Sequence, residues 1–319
     1  MKKIIEKLLL AALALTVTNT VMAQVPSMPE NHKLPEFHLT EDTCSINFVD
    51  HARYIFIEGS IGNTKGKFMF DTGSQKSMAI NRLFVETKGG KKIGRGFNGS
   101  GENYDVFRLD TVRDIKVGNR LSFDICGPVE AEEQKGIHEH LEPQFLGLIG
   151  YDFFKGYVLK VDYRNHRLTF YKNTETRNKN QDFLKGEKLI TVINLKASLL
   201  PNHPLTDLRI NGVLVEAGFD TGTPGVLYPT DSFKEELLKK GILGEKDKES
   251  ETTLKNLEFA NGYKGYSEQI HILTPEQGMG IRKAIGFQTE NMLELGHGFL
   301  AQYKTVWDIQ NKKLYLLQR

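Results

Sequence analysis

The sequence predicts a mainly β protein made of two similar lobes. Two observations lead to this prediction. The motif Phe70-Asp71-Thr72-Gly73-Ser74 is repeated 149 residues later as Phe219-Asp220-Thr221-Gly222-Thr223. A second pair of similar segments begins at Gly150 and at Gly296, near the end of each half. Repetition at both ends of each half indicates two copies of one structural unit.

The first 23 residues have the pattern of a secretory signal peptide. A basic start, Met1-Lys2-Lys3, precedes an apolar run from Leu8 to Val17 and a small-residue cleavage site, Val21-Met22-Ala23. We therefore expect an exported protein, and both the periplasm and secretion fit this signal. Transmembrane segments are not expected, because no other apolar run approaches the roughly 18 residues that span a bilayer.

Residues 24–43 are polar and contain three prolines, which predicts a flexible leader. Whether this leader is an inhibitory pro-segment stays open. The first lobe is expected at 44–172 and the second at 188–319. Residues 173–187 begin with a run that has no apolar periodicity, so they are assigned as the linker.

The charge balance excludes a nucleic-acid partner. The chain of 319 residues has 42 Lys and Arg against 40 Asp and Glu, and removal of the signal peptide leaves 39 of each. Phosphate binding requires a basic excess that is absent here. We expect no metal and no cofactor, since His138-Glu139-His140 lacks zinc-helix spacing and is predicted to be a solvated loop. Cys44 and Cys126 are either one disulfide or two buried thiols.

Each half begins with a predicted β-hairpin whose second strand ends at the motif aspartate. A glycine-containing turn precedes each second strand, at Gly62–Gly66 and at Ile210–Gly212. Ten residues after each aspartate a helix is predicted, at 81–87 before Gly89 and at 230–240 before Gly241.

Each half is predicted to end in a second hairpin. The segment 150–157 aligns without gaps on 296–303, and the register continues from Asp162, Asn165 and Leu168 to Asp308, Asn311 and Leu314. The turns of these hairpins fall at 163–166 and at 309–312, between apolar strands.

If the lobes pack about a two-fold axis, Asp71 and Asp220 meet at the interface. Two carboxylates in contact share one proton, because like charges in a cleft repel. The protonated acid can then polarise a carbonyl while the ionised partner takes a proton from water. This chemistry predicts hydrolysis by general acid–base catalysis.

The neighbours of the two aspartates are expected to support the pair. The threonines would hydrogen-bond across the interface, the glycines would let backbone N–H groups approach the carboxylates, and the next hydroxyls would donate to the outer carboxylate oxygens. These residues are Thr72, Gly73 and Ser74 in the first half and Thr221, Gly222 and Thr223 in the second.

The two Asp-Thr-Gly loops resemble those of the retropepsin/pepsin-like aspartic proteases, particularly the single-chain, two-lobed type. An apolar-Gly element follows each loop, Leu148-Ile149-Gly150 and Leu293-Glu294-Leu295-Gly296. The resemblance covers about 45–172 and 188–319. It implies two closed β-barrel lobes related by pseudo-two-fold symmetry, with Asp71 and Asp220 as the catalytic pair. It also implies a protein or peptide substrate, and we expect a monomer.

A glycine-rich segment lies where the retroviral members of this family carry a mobile flap. The candidate flap residues are Gly94, Gly96, Gly99, Gly101 and Tyr104. A plain exposed hairpin is the alternative for this segment and for the weaker second-lobe candidate, 261–266. A dinucleotide-binding loop is disfavoured, because no βαβ unit surrounds the glycines.

The second half departs from the family pattern in two places. Glu216-Ala217-Gly218 precedes Phe219 where apolar β-branched residues are usual, and Glu294 corresponds to Leu148 of the first half. His297, just after Gly296, is expected at the surface or behind the aspartates. Two functions remain: an exported aspartic endopeptidase, or a non-catalytic peptide- or glycan-binding module on the same scaffold.

Overall fold

The computed structural model describes residues 34–87, 89–97, 103–246 and 251–319. The predicted signal peptide and residues 24–33 lie outside the described residues. The strands, in chain order, are β1 Thr43–Asn47, β2 Val49–His51, β3 Tyr54–Ile61, β4 Thr64–Phe70, β5 Met78–Asn81, β6 Lys91–Phe97, β7 Asn103–Leu109, β8 Val112–Val117, β9 Leu121–Cys126, β10 Val129–Glu132, β11 Phe145–Ile149, β12 Tyr157–Asp162, β13 Arg167–Lys172, β14 Leu189–Asn194, β15 Leu205–Ile210, β16 Val213–Phe219, β17 Val226–Tyr228, β18 Glu251–Phe259, β19 Lys264–Ile272, β20 Met292–Leu295, β21 Lys304–Asp308 and β22 Lys313–Leu317.

Six short helices accompany the strands in the described part of the chain, which is mainly β as the sequence predicts. They are α1 Lys135–His140, α2 Tyr151–Phe154, α3 Glu175–Asn180, α4 Asp231–Lys239, α5 Met279–Ile285 and α6 His297–Leu300, with a 3₁₀ helix at Asp182–Leu184. The chain divides into two compact units. Among the described residues, unit 1 holds 34–40 and 55–155, and unit 2 holds 41–54 and 156–319.

Unit 1 is built on one sheet in the strand order β6-β7-β10-β5-β11-β4-β3-β8-β9. The predicted hairpin is present, with β3 and β4 joined by Gly62 and Asn63 and Gly62 at a positive φ of 55°. Strand β11 pairs in parallel with β4 and antiparallel with β5. Within the described residues this sheet is an open path, so the closed barrel predicted for the first half is not observed there.

Unit 2 contains a closed barrel in the order β15-β16-β20-β17-β19-β18. Its first hairpin turns at Asn211-Gly212, where φ is 53° and 81°. Two consecutive positive φ values are typical of the two-residue turns that match strand twist. Strand β20 lies between β16, with which it is parallel, and β17, with which it is antiparallel. This part of the structure agrees with the predicted barrel lobe.

Unit 2 also contains a six-stranded sheet in the order β1-β13-β12-β21-β22-β14. Both predicted end hairpins lie in it, β12/β13 and β21/β22. They meet at the centre, where β12 pairs antiparallel with β21 and Lys160 is opposite Val306. Both turns are closed alike: Asn165 donates to Asp162 and Asn311 donates to Asp308, through the backbone N–H and the side-chain amide in each case.

The boundary between the compact units falls at 155/156, earlier in the chain than the predicted linker. Strands β12 and β13 belong to unit 2 because their partners β21 and β1 are there. The predicted linker 173–187 is itself structured, with α3 and the 3₁₀ helix. Phe183 is fully buried in a cluster with Val158, Val306, Tyr315 and Leu317. Its burial anchors the segment against the six-stranded sheet.

The described end of the predicted leader is packed rather than loose. Phe37 is 1% exposed, and its ring centroid lies 4.5 Å from that of Phe123 and 4.9 Å from that of Phe153 in unit 1. Thr43, the last residue of the predicted leader, begins β1. The two cysteines, Cys44 and Cys126, are buried thiols, which is the second of the two alternatives.

Three local predictions can be compared with the structure. The helix predicted at 230–240 is confirmed: α4 begins after its N-cap Thr230, whose hydroxyl accepts from the Phe233 N–H. The helix predicted at 81–87 is wrong. Asn81 accepts from the Leu83 N–H and donates to the Phe145 carbonyl, so its side chain stabilises a turn instead.

The loop predicted at His138–His140 is also wrong, because these residues lie in α1. Histidines two apart on a helix do not share a face. The described residues contain no group of three or more metal-ligating side chains, and none of their helices is long and apolar enough to cross a membrane.

Candidate functional site

The loop at Asp71 begins where β4 ends, and it is held by β11. The Asp71 N–H donates to the Ile149 carbonyl at 2.9 Å. The carboxylate Oδ1 accepts from the Gly73 N–H at 2.8 Å and from the Ser74 N–H at 3.2 Å. Asp71 is fully buried. Backbone amides therefore fix the orientation of this carboxyl group.

The loop at Asp220 is built in the same way within unit 2. It follows β16, and the Asp220 N–H donates to the Leu295 carbonyl of β20 at 3.1 Å. The Gly222 N–H donates to Oδ1 of Asp220 at 2.7 Å, and Asp220 is 1% exposed. In each unit the motif aspartate is thus buried, and one of its carboxylate oxygens accepts from the N–H of the motif glycine.

A glycine lies against each loop and explains the second repeated segment. Gly150 follows β11, and a Cβ there would collide with the Ser74 carbonyl oxygen. Gly296 follows β20, and a Cβ there would collide with the Thr223 carbonyl oxygen. The next N–H donates to the same carbonyl in both units, from Tyr151 at 2.8 Å and from His297 at 2.9 Å. Only glycine permits this close approach of the two backbones.

The other predicted supporting residues are all buried beside the aspartates, but two of them act differently from the prediction. Thr72 and Thr221 are 0% and 1% exposed. Ser74 Oγ has no hydrogen-bond partner within the described ranges. The Thr223 hydroxyl accepts from the Gly225 N–H at 3.3 Å. Within the described residues, neither hydroxyl is seen to donate to a carboxylate oxygen.

The candidate flap is a hairpin of unit 1 formed by β6 and β7. Gly96 is opposite Tyr104, and a Cβ at Gly96 would lie 2.6 Å from the tyrosine ring. Tyr104 is 4% exposed, and a Cβ at Gly94 would meet open space. Gly99 and Gly101 lie outside the described residues. The second-lobe segment 261–266 covers the turn after β18 and the first residues of β19.

A cavity of about 310 Å³ lies next to the Asp71 loop in unit 1. Its lining begins with the residues that follow the motif, Gln75 to Met78, and includes Glu130 and Asp152. Lys76 pairs with Glu130 at 2.6 Å and also with Glu132. Burial lowers the pKa of Lys76, whereas Glu130 opposes this shift. The cavity wall therefore contains two carboxylates and a lysine.

The departures of the second half prove to be polar side chains with partners. Glu216 pairs with Lys196 and accepts the Gln288 and Thr289 N–H groups. Burial opposes ionisation of Glu216, but these hydrogen bonds outweigh it and lower its pKa. Glu216 thereby fixes the loop that leads into β20.

Glu294 is fully buried and pairs with His203, a residue that the sequence analysis does not identify. The His203 Nε2 atom lies 2.7 Å from Glu294 Oε2, and both side chains are 0% exposed. Glu294 stands out in the sequence as a charge within the apolar strand Met292–Leu295. His203 carries no comparable signal, because it is a single histidine in a loop.

A second polar group in unit 2 contains His297, Asp50 and Tyr163. His297 Nε2 lies 2.9 Å from Asp50 Oδ2, and the His297 ring meets the Tyr163 ring edge-on at 5.4 Å. His297 is mostly buried, with 16% of its side chain exposed. Burial raises the pKa of Tyr163, and the charges of Asp50 and Asp220 add to this shift.

Comparison with known proteins supports the fold. No protein-family model matches the chain, and no curated protein matches it. The crystal structure of basic 7S globulin from soybean is similar with a TM-score of 0.53 at 9% identity, covering 87% of this chain and 95% of that one. Conglutin gamma, a basic 7S globulin from lupine seeds, gives 0.52 at 11% identity, covering 88% and 96%.

These likenesses establish a pepsin-like fold. At such low identity they establish the fold alone, and both proteins are named as globulins rather than as proteases. The chain is thus aspartic-protease-like in architecture.

Proposed function

We propose that the chain is an exported aspartic endopeptidase in which Asp71 and Asp220 act together on a peptide bond. The observation that carries this proposal is the matched construction of the two loops. Each aspartate is buried, and its Oδ1 atom accepts from the N–H of the motif glycine. The N–H of each aspartate donates to the last carbonyl of the neighbouring strand, β11 in unit 1 and β20 in unit 2. A binding protein has no physical need for two carboxyl groups held in this way.

The proposed reaction needs one aspartate ionised and the other protonated. The ionised carboxylate takes a proton from a water molecule, and the water oxygen attacks the peptide carbonyl carbon. The protonated carboxyl group donates its proton to the carbonyl oxygen, which gives a gem-diol. When the gem-diol collapses, the carboxyl group that took the proton of water gives it to the nitrogen, a gem-diol hydroxyl gives its proton to the other aspartate, and the C–N bond breaks to leave an amine and a carboxylic acid. No cofactor takes part.

The substrate proposed is an extended protein or peptide segment. An extended chain can pair its backbone with a β-hairpin, and the β6/β7 hairpin is the candidate in unit 1. The signal-peptide pattern supports action in the periplasm or outside the cell. We propose a monomer, since the two motif copies are present in one chain.

The test is cleavage of a denatured protein by the mature chain from pH 3 to 7. Asp71→Asn and Asp220→Asn should each lower the rate by about 10²-fold or more, because each removes one member of the acid–base pair. The exposed Asp231→Asn, on α4, serves as the charge-matched control and should leave the rate unchanged. Circular dichroism shows whether each variant is folded. Full activity in either motif variant would contradict the proposal.

The second candidate function is peptide or glycan binding without hydrolysis, and the fold comparisons favour it, because the similar structures are named as globulins. An inactive wild-type chain that binds a peptide or glycan array, with the same affinity after Asp71→Asn, would support this function. An uncleaved leader is a separate cause of inactivity. It is tested by repeating the assay on a chain that begins at Leu34.

A further inference from the structure

The position of Glu294 is the starting point for a role beyond packing. On β20, Glu294 lies between Gly218 of β16 and Val226 of β17. In unit 1 the corresponding strand position is Leu148, which lies between Met69 and Ala79. A carboxylate thus replaces an apolar side chain in the strand that holds the aspartate loop. An unpaired charge there would be strongly destabilising.

Gly218 provides the space for the charged pair. A Cβ at this position would lie 2.7 Å from Glu294 Oε2 and 2.7 Å from His203 Nε2. Any larger residue would displace one member of the pair. The corresponding residue of unit 1, Met69, has a long side chain in an apolar layer. Gly218 is therefore required for the pair of His203 and Glu294 to fit in unit 2. In unit 1 the corresponding positions have apolar side chains.

The pair is close to Asp220 along the strand. Gly218 and Asp220 are two residues apart, and alternate residues of an extended strand point to the same face about 7 Å apart. Burial disfavours the protonated form of His203, but Glu294 and the charge of Asp220 outweigh burial and raise its pKa. Burial raises the pKa of Glu294, His203 opposes this shift, and Asp220 adds to it.

Other ionisable groups also face this region of unit 2. Tyr228 of β17 is fully buried; burial raises its pKa, and Glu294 adds to this shift. Tyr163 faces Asp220 and Asp50, and Asp50 pairs with His297. The atoms His203 Nδ1, Glu294 Oε1 and Tyr228 Oη have no hydrogen-bond partner within the described residues. Among these groups, His203 is the fully buried base whose pKa the charge of Asp220 raises.

We propose that His203 and Glu294 are positioning residues for Asp220, with an imidazolium held beside the Asp220 loop by the Glu294 carboxylate. The imidazolium attracts the Asp220 carboxylate and the Glu294 carboxylate repels it, so the protonation state of His203 is coupled to the charge of Asp220. In the proposed hydrolysis, on which this role rests, the pair supports the Asp220 loop, whereas unit 1 has apolar side chains at the corresponding strand positions. The second half thereby breaks the equivalence of the two aspartates.

The test is an NMR titration of the His203 ring in the folded mature chain. The His203 signal is assigned by its loss in His203→Asn. Thermodynamic coupling is reciprocal, so Asp220→Asn should lower the apparent pKa of His203 by about 0.5 unit or more. Glu294→Gln should lower it by about 1 unit or more. Asp231→Asn removes an exposed negative charge and should leave it unchanged.

The decision rests on Asp220→Asn, which is nearly isosteric and does not disturb the buried pair itself. An unchanged His203 titration in this variant would overturn the proposal and leave the pair a purely structural one. Failure of Glu294→Gln to fold does not affect this decision. The readout needs no enzymatic activity, so an inactive wild-type chain would count against the proposed protease function but not against this coupling.

Discussion

Lys160 and Val306 face each other at the centre of the six-stranded sheet, and they occupy the same position in the two halves of the chain. The end segments are offset by 146 residues, which is the separation of these two residues. In an antiparallel pair of repeated strands, a residue faces its own counterpart only at a local two-fold axis. The repeat found in the sequence is therefore expressed as symmetry within one sheet.

The glycines beside the aspartate loops should not tolerate a methyl group. Gly150→Ala and Gly296→Ala would each push a Cβ into a backbone carbonyl, of Ser74 and Thr223 respectively. We expect each variant to lose about 2–3 kcal/mol of unfolding free energy in urea denaturation. The matched control is Gly94→Ala, where the Cβ would meet open space. Equal stability of the three variants would contradict this reasoning.

Glu187 should make the six-stranded sheet sensitive to acid. It accepts from Lys160 at 2.9 Å and from Lys304 at 3.0 Å. Burial opposes its ionisation, but the two lysines outweigh burial and lower its pKa. A carboxyl group whose folded pKa is lowered contributes stability above its unfolded pKa, near 4.5, and this contribution disappears as the pH falls through the folded value.

Glu187→Gln should therefore cost about 1–2 kcal/mol at pH 7 and much less near pH 3. Urea denaturation at both pH values measures the difference. The control is Glu235→Gln on the exposed face of α4, for which we expect a change within about 0.5 kcal/mol. A cost for Glu187→Gln that is the same at both pH values would rule out the lysine pairs as its cause.

The two end turns should differ in stability although an asparagine closes each of them. Asp162 and Asp308 each accept from the asparagine three residues later. Asp162 also pairs with Lys304 at 3.2 Å. Asp162→Ala should therefore cost about 1 kcal/mol more than Asp308→Ala in urea denaturation. In a Lys304→Met background this difference should disappear, and its persistence would exclude the ion pair as the reason.

The two cysteines should be unreactive until the protein unfolds. Both are buried, and burial raises the pKa of the Cys126 thiol to about 11. Little thiolate exists at pH 8, and thiolate is the reactive form. Ellman's reagent should label no thiol of the native chain at pH 8 and two thiols per chain in guanidinium chloride. No labelling after unfolding would indicate a disulfide.

Local sequence features predict the parts of the fold that depend on local chemistry. The Asn211-Gly212 turn, the Thr230 cap of α4 and the two Asp-to-Asn end turns are each encoded within a few residues. The boundary between the units is different. Strand β12 follows unit 1 in the chain, but it pairs with β21 almost 150 residues later. No local pattern identifies such a partner.

The same distinction applies to the candidate site. The aspartate loops are visible because each motif is short and occurs twice. Glu294 is visible as a charge in an apolar strand, but its partner His203 is 91 residues earlier in the chain. A buried ion pair between distant segments leaves two isolated polar residues in the sequence. Only their distance and burial in the folded chain show that they belong together.

The six-stranded sheet also determines what a break in the chain would do. A cut within residues 173–187 places β12 and β13 on one fragment and β21 and β22 on the other. The four paired positions from Leu159 to Asp162 would still join the fragments. A nicked protein should therefore elute from gel filtration as one species and separate into two bands only in a denaturing gel. Conversion to a two-chain form would leave both aspartate loops intact.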